Sequence, residues 1–296
     1  MKKENTLISV IIPSFNSIKT IKRTVESILN QDMKLLKEII VVDSSEAGES
    51  RNYLKSLDNK LIKIIKPGVR IMPAIQRNIG ATSATGDILL FLDSDVILQN
   101  NYLSEIHSAY KEGIMIGEGA VILPDFQKNI KTAVAQYYLQ LNEYIPAGER
   151  RKKSCIPGCN IFCDRKMFFE AGGFPDIRAY EDTQFCHNVN KISDIWFIPE
   201  AKIAHIFRED RESFYNNQEL IGFHIGRNRV IPYGFIFKNS FNRFLLPVIL
   251  SLKFFLISSR LVKSGQGHFR QLLNSSGLVI AGLYYWSGGF LKGLRQ

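Results

Sequence analysis

The sequence predicts an α/β fold: a mostly parallel, Rossmann-like sheet with helices on both faces. Short apolar runs alternate with helix-compatible segments through the first hundred residues. The stretch "DILLFLDSDVIL" at residues 87–98 contains five consecutive apolar residues, as expected of a strand that is buried on both faces. The chain has 296 residues, 45% of them hydrophobic, which suffices for one large domain or for one domain with an appendage.

The elements follow one another along the chain as strand and helix. The first strand is the apolar run "LISVIIPSF", which Pro13 stops. The next segment is a helix, because its apolar residues recur on one helical face. Later elements are expected as strands at 38–43, 61–66 and 87–93, helices at 72–84, at 127–142 and from about 181, and a strand at 194–199. Alternation of this kind indicates a sheet with helices packed on its faces.

Carboxylates stand where two of these strands end. Asp43 ends the second predicted strand, Asp93 ends the fourth, and Asp95 follows two residues later. In open α/β sheets, ligands bind outside the carboxyl ends of the strands. We therefore expect these acids to open into one crevice.

The chain's charge is uneven. Its net charge is +10, and all ten excess cations lie after residue 220, where no Asp or Glu occurs. A neutral body with a basic tail indicates an anionic partner that only the tail contacts. At the start of the chain, Pro13 breaks the apolar run, so no cleaved signal peptide is expected. The four cysteines lack the CxxC spacing of zinc sites, so we expect buried reduced thiols and a cytosolic body.

Five pieces of the sequence, in this order, resemble glycosyltransferase family 2, whose members have the GT-A fold. They are "SVIIPSFN" at 9–16, Asp43 after "IIVV", "RNIGATSATGDILLFLDSD" at 77–95, "GCNIFCDRKMFFEAGGFPD" at 158–176, and "ED" at 181–182. Together they fall within about residues 7–207. No QxxRW string occurs, which favours a non-processive enzyme that adds a single sugar.

The resemblance implies a nucleotide-sugar donor, with UDP or GDP as the nucleotide, and a Mn²⁺ or Mg²⁺ ion. Such a cation offsets the negative charge that gathers on the diphosphate as the sugar leaves. The resemblance places Asp95 on the metal, and His205 is a second candidate ligand that can equally be a hydrogen-bonded core residue. The residues assigned to the donor are Pro13, Phe15, Asn16, Asp43, Arg77, Asp93 and Ser94. Arg77 can alternatively be a solvated helix charge.

For the transfer itself, the resemblance implies inversion at the anomeric carbon with Asp182 as general base. The alternative for Asp182 is an acid that the helix dipole favours at a helix start. Gly158, Asn160 and Glu181 are expected on the acceptor side. Arg208 and Arg211 are either a lid over the diphosphate or plain surface charges.

The predicted domains are a catalytic domain at 1–220 and a basic, apolar helical tail at 221–296. The tail has apolar stretches at 244–257 and 277–291, each shorter than the roughly 20 residues of a spanning helix, and Lys253 interrupts the first. We expect a helical hairpin in the cytoplasmic leaflet, with Tyr284, Tyr285 and Trp286 as interfacial aromatics. Core helices or a dimer interface are the alternatives.

A membrane surface suits a lipid-linked or glycan acceptor, whereas a nucleic-acid partner is not expected, because long aliphatic runs separate the cations. Two other functions compete with sugar transfer. A nucleotidyltransferase is disfavoured because "IIPSFNSIKT" lacks a glycine-rich phosphate loop. A non-catalytic membrane adaptor is disfavoured because the acids are all retained. The oligomeric state is left open.

Overall fold

A computed structural model describes residues 6–177, 179–228 and 246–295. The chain forms two compact units, one of Met1–Ile122 with Pro146–His205 and one of Leu123–Ile145 with Ile206–Gln296. These units divide the chain elsewhere than at residue 220, because residues 123–145 and 206–220 group with the C-terminal helices. The predicted functional division at residue 220 stays a prediction.

The first unit contains a nine-stranded sheet in the order β3-β2-β1-β4-β8-β6-β9-β5, with β7 paired to β9. Its strands are β1 Ile8–Ser14, β2 Leu36–Asp43, β3 Ile62–Ile65, β4 Ile88–Leu92, β5 Val96–Leu98, β6 Ile116–Ile122, β7 Arg151–Lys153, β8 Asn160–Asp164 and β9 Ile195–His205. Six strands, β1 to β4, β6 and β9, point in one direction, and β5, β7 and β8 are antiparallel to them. The expected α/β fold with a mostly parallel sheet is confirmed.

The described helices belong to both units. They are α1 Ile18–Leu29, α2 Glu49–Ser56, α3 Pro73–Ser83, α4 Tyr102–Lys111, α5 Lys131–Leu141, α6 Arg165–Glu170, α7 Glu181–Val189, α8 Arg211–Asn228, α9 Leu246–Ser264 and α10 Gln266–Gly293, with a 3₁₀ turn at Asp125–Gln127. Helices α5, α8, α9 and α10 lie in the second unit. The apolar face that α1 buries carries the periodic residues that predicted it, among them Ile21, Val25 and Ile28.

Strand β1 lies between β2 and β4 and is parallel to both, so these strands end at the same edge of the sheet. Asp43 is the last residue of β2, and Asp93 directly follows β4, as expected. Helix α3 packs on β1 at Gly80, where an added Cβ would lie 2.4 Å from Cγ2 of Ile11. This close approach brings the first turns of α3 to the edge where Asp43 and Asp93 lie.

In the second unit, α8 and α10 pack backbone against backbone at glycines. A Cβ at Gly222 would lie 1.9 Å from the carbonyl oxygen of Trp286, and one at Gly289 would lie 1.9 Å from that of Glu219. Small residues permit this approach because no side chain separates the helices. Over the described ranges, every helix is too short or too polar to cross a membrane.

Candidate functional site

Two carboxylates and an imidazole meet beyond the carboxyl end of β4. Asp93, Ser94 and Asp95 connect β4 to β5, and β5 pairs antiparallel with β9 so that Val96 lies opposite His205. His205 Nε2 lies 3.6 Å from Asp95 Oδ1. The pairing of β5 with β9 therefore brings together residues that are more than a hundred positions apart in the sequence.

This Asp93–Asp95–His205 cluster suits a divalent cation. One ligand atom from each residue lies within 4.8 Å of the others, and the three side chains are half-buried. Ligands of an octahedral cation with bonds of about 2.1 Å lie roughly 3–4 Å apart, so small side-chain rotations suffice. Carboxylate oxygens are preferred ligands of Mg²⁺ and Mn²⁺, and imidazole binds transition metals. The donor set thus fits a divalent ion.

Arg77 on α3 joins this cluster to the start of α7. Its Nη2 lies 2.7 Å from Asp93 Oδ1 and its Nη1 lies 3.0 Å from Glu181 Oε1. The residue is only 4% exposed. Burial lowers the pKa of the guanidinium, but the carboxylates of Asp93 and Glu181 outweigh burial and raise that pKa. Arg77 is therefore a fixed cation between two acids, and the alternative of a solvated helix charge is wrong.

Asp182 is held by backbone donors at the first turn of α7. Its Oδ2 accepts from the N–H of Gly158 at 3.2 Å, and its Oδ1 accepts from the N–H of Thr183 at 2.7 Å. Burial raises the pKa of Asp182, and these N–H groups and the Arg77 charge oppose the rise without cancelling it. Oδ1 also accepts from Thr183 Oγ1 at 3.4 Å, so Oδ2, which accepts from Gly158, is the oxygen with a lone pair left for a further proton. A raised pKa improves a general base.

The backbone before α7 is strained. Tyr180 has a φ of 69°, in the left-handed region that residues with a side chain rarely adopt. Strain of this kind persists where surrounding contacts hold it, and it is common at functional sites. Tyr180 precedes the first residue of α7, Glu181, whose carboxylate accepts a hydrogen bond from Arg77. Burial and the neighbouring Asp182 raise the pKa of Glu181, whereas Arg77 lowers it, and the rise prevails.

Gly158 lies in close contact with Arg77 and Asp182. An added Cβ there would lie 3.2 Å from Nη2 of Arg77, which is tighter than an ordinary contact. Gly158, which was expected on the acceptor side, thus contacts Asp182 through its backbone N–H, and a side chain there would displace the Arg77 guanidinium by a few tenths of an ångström.

Asp43 is fully buried, and its carboxylate is already surrounded. Its Oδ2 lies 2.8 Å from Nη1 of Arg51, and its Oδ1 accepts from Ser14 Oγ at 3.2 Å and from the N–H of Ser45 at 3.1 Å. A nucleotide base can reach this carboxylate only if Arg51 or a serine moves. Arg51 was not anticipated. Arg51 lies eight residues after Asp43, and that short separation was the available signal.

The other residues expected at the donor lie in β1 and the loops. Pro13 is buried within β1, whereas Phe15 and Asn16 are exposed, and the Arg70 guanidinium lies 4.2 Å from the centre of the Phe15 ring. Ser94 accepts through its carbonyl from Thr24 Oγ1 at 3.0 Å, which ties the acidic loop to α1.

Asn160 lies in a different environment from the one expected. It is fully buried, its Oδ1 accepts from the N–H of Gly119 at 3.0 Å, and its Nδ2 donates to the Gly119 carbonyl at 3.3 Å. The pairing of β6 with β9 shifts register between Gly119 and Ala120. Asn160 satisfies the Gly119 backbone groups beside that shift, so its side chain is unavailable to an acceptor in this conformation.

Arg208 and Arg211 belong to the second unit, where both are exposed. Their suggested role as a lid stays a prediction. The cysteines are reduced, as expected; Cys159, Cys163 and Cys186 are buried, and Cys155 is half-buried.

Comparison with known proteins identifies a family that the chain matches in sequence. The family model for glycosyl transferase family 2 matches residues 9–170. The chain is 32% identical over 121 residues to poly(ribitol-phosphate) beta-N-acetylglucosaminyltransferase TarP of Staphylococcus aureus, a match covering 38% of this chain and 37% of that protein. It is 31% identical over 109 residues to GalNAc(5)-diNAcBac-PP-undecaprenol beta-1,3-glucosyltransferase of Campylobacter jejuni, covering 36% and 35%. The chain thus matches little more than a third of the length of these curated relatives.

A solved structure supports the fold independently. The mannosyltransferase PcManGT from Pyrobaculum calidifontis, in complex with GDP-Man and Mn²⁺, superposes with a TM-score of 0.63 at 15% identity. That match covers 99% of this chain and 88% of the other. Since the family model spans more than half of the chain, and the acidic loop, Arg77 and the start of α7 meet at one edge of the sheet, the chain belongs to glycosyltransferase family 2.

Proposed function

We propose that the chain transfers a sugar from a nucleoside-diphosphate donor, UDP or GDP, to a hydroxyl group with inversion of the anomeric carbon. One observation carries the proposal. Arg77 bonds to both Asp93 and Glu181, so the acidic loop after β4 and the acidic start of α7 form one network. The donor site and the base must be neighbours, because the acceptor hydroxyl has to attack the anomeric carbon in line with the departing diphosphate.

We assign a Mn²⁺ or Mg²⁺ ion to Asp95, with Asp93 and His205 as further ligands. Asp93 already shares its charge with Arg77, which favours Asp95 as the principal ligand. When bound, the cation neutralises charge that develops on the departing diphosphate. The donor set supports this assignment, as does the Mn²⁺ complex of the Pyrobaculum mannosyltransferase.

Asp182 is the proposed general base. Its carboxylate accepts the proton of the acceptor hydroxyl while that oxygen bonds to the anomeric carbon and the bond from the sugar to the diphosphate breaks. The backbone N–H groups of Gly158 and Thr183 fix the orientation of the carboxylate. Arg77 and Glu181 hold the first turn of α7 in position, so they are positioning residues in this scheme.

We further propose that the acceptor is lipid-linked or a polysaccharide precursor, and that the protein acts at the cytoplasmic face of the cell membrane as a peripheral or monotopic protein. Two observations support this part. The name of the Campylobacter relative contains an undecaprenol-diphosphate group. The cationic excess of this chain lies entirely after residue 220.

Isothermal titration tests the donor and metal assignments together. UDP, GDP and their sugars are titrated with and without Mn²⁺, and one nucleotide is expected to bind far more tightly with the metal. Asp95→Asn should remove most of the metal dependence, whereas the matched exposed variant Asp32→Asn should keep it. Equal binding with and without metal would refute the metal site, and a protein that binds no nucleotide would refute the enzyme itself.

A further inference from the structure

Helices α9 and α10 each present a row of apolar side chains to solvent. The exposed members, which we call the apolar stripe, are Val248, Leu252, Phe255, Leu256, Val262, Leu273, Ile280 and Tyr284. They are large, and Phe255 and Tyr284 are 67% and 72% exposed. Their spacing of mostly three, four or seven residues places them on one side of each helix. Other residues of the two helices, such as Ile257 and Trp286, form the buried side.

The two rows join where α9 ends and α10 begins. Val262 and Leu273, one from each helix, line the same shallow cavity with Phe269 and Arg270. The stripe is therefore one surface running along two helices of the second unit. Contiguous exposed apolar surface of this extent indicates a contact with a partner or a membrane.

Charge identifies the kind of partner. Neither helix contains an Asp or Glu, and Lys263 and Arg270 lie exposed beside the junction of the two rows. A second cavity, lined by Lys131, Gln271 and Asn274, lies against the neighbouring side of α10. Lys128 also lines it and is paired with Asp125. An apolar row flanked by cations and amides matches a bilayer with anionic headgroups.

Lys253 does not interrupt this surface, although it interrupts the apolar run in the sequence. Its ammonium lies 4.1 Å from the centre of the Trp286 ring, and burial lowers its pKa to about 8. The helix turns its one mid-helix cation toward α10 and its apolar residues outward.

We propose that the apolar stripe lies in the plane of an anionic lipid bilayer, with Lys263 and Arg270 at the headgroup phosphates. The inference rests on the proposed membrane association and names the surface that makes it. Two copies of the chain are a poorer occupant, because facing stripes would bring Lys263 and Arg270 of one copy against those of the other, and neither helix carries an acid to pair with them. A nucleic acid would leave the apolar row in water.

Vesicle co-sedimentation of the full chain tests this surface. Vesicles of phosphatidylcholine, with and without phosphatidylglycerol, are compared, and the anionic vesicles should bind the chain more tightly. Leu252→Ser combined with Phe255→Ser should weaken that binding at least roughly tenfold, since two large side chains no longer enter the interface. The matched control is Ile192→Ser, an exposed apolar residue of the first unit, which should bind as the wild type does.

Charge reversal gives an independent arm. Lys263→Glu combined with Arg270→Glu should weaken binding to anionic vesicles about tenfold or more and leave binding to neutral vesicles nearly unchanged. The matched control is Lys37→Glu, an exposed lysine on β2. Circular dichroism and nucleotide titration of each variant should match the wild type, because none of these residues belongs to the donor site.

Three results would overturn the inference. One is stripe variants that bind vesicles as the wild type does. Another is equal wild-type binding with and without phosphatidylglycerol. The third is a wild-type dimer in analytical ultracentrifugation that the stripe variants convert to a monomer, which would assign the surface to a second copy. If the proposed enzyme function fails instead, the wild type binds vesicles in this pattern and binds no nucleotide.

Discussion

Replacing Arg77 with methionine tests the network that joins the acidic loop to α7. The change leaves Asp93 and Glu181 without their shared cation and keeps an unbranched, shorter side chain. The Arg77 side chain is 5% exposed, whereas those of Asp93 and Glu181 are 31% and 18% exposed. Breaking a fully buried pair costs roughly 3–5 kcal/mol, and breaking a surface pair costs at most about 1 kcal/mol. For these partly open acids we expect a loss of about 2–3 kcal/mol in unfolding free energy.

Urea unfolding measures this loss, and the chain offers a matched control. Lys152 and Asp194 form a pair of 2.6 Å in which both side chains are 59% exposed. Lys152→Met should cost less than about 0.5 kcal/mol, since solvent screens that pair. In a Glu181→Gln background, Arg77→Met should cost less than it does alone, because one acid is already neutral. An Arg77→Met protein no less stable than Lys152→Met would show that the ion pairs of Arg77 with Asp93 and Glu181 do not stabilise the fold.

Three further predictions concern acid stability, helix packing and the metal. Glu38 is buried, but Lys63 and hydrogen-bond donors outweigh burial and lower its pKa from 4.5 to about 2. The stabilisation that ionised Glu38 gives is complete above pH 4.5 and is lost as the pH falls toward 2. In denaturant titrations over that range, the wild type should therefore lose roughly 2–3 kcal/mol more unfolding free energy than Glu38→Gln. Gly289→Ala should destabilise the protein by about 1–3 kcal/mol, because its Cβ would meet the α8 backbone. Gly277→Ala, where nothing lies within 4 Å, should instead stabilise by up to about 1 kcal/mol; thermal unfolding that ranks the two variants the other way would contradict this packing. His205→Asn should weaken Mn²⁺ binding in titration calorimetry at least roughly tenfold, and unchanged affinity would remove His205 from the site.

The first four strands, part of β9 and the edge that β1, β2 and β4 share were predictable from the sequence, whereas β5 to β8 were not predicted. Buried parallel strands are continuous apolar runs, and "EIIVVD" and "DILLFLD" each carry an acid at the position where the apolar run stops. Parallel strands that neighbour one another end at one edge, so the proximity of Asp43 and Asp93 to that edge followed from topology alone.

The contacts within the site were not predictable in the same way. The approach of His205 to Asp95 depends on the register of β5 against β9, and no local pattern encodes a pairing over that separation. Asn160 belongs to a matching motif but satisfies a backbone irregularity at Gly119. A polar residue in a family motif can therefore serve the sheet as well as the substrate, and only the packing distinguishes the two.

The position of Asp43 was predictable, but its contacts were not. Its place after β2 was predicted, yet its carboxylate is enclosed by Arg51 and two serines. Arg51 lies on α2, and which face of that short polar helix is buried depends on the sheet beneath it. Periodicity is weak in a helix with few apolar residues, so this partner could not be assigned from the sequence.

Asp182 is the proposed general base that removes the acceptor proton. Asp182→Asn keeps the size of the side chain and removes the base, and its single amide oxygen can accept from only one of the Gly158 and Thr183 N–H groups. The most direct measurement is sugar transfer by this variant, together with its affinity for the nucleotide donor in the presence of Mn²⁺. We predict a donor affinity close to that of the wild type and a transfer rate lowered by roughly 100-fold or more. Transfer at the wild-type rate with the donor bound would contradict it.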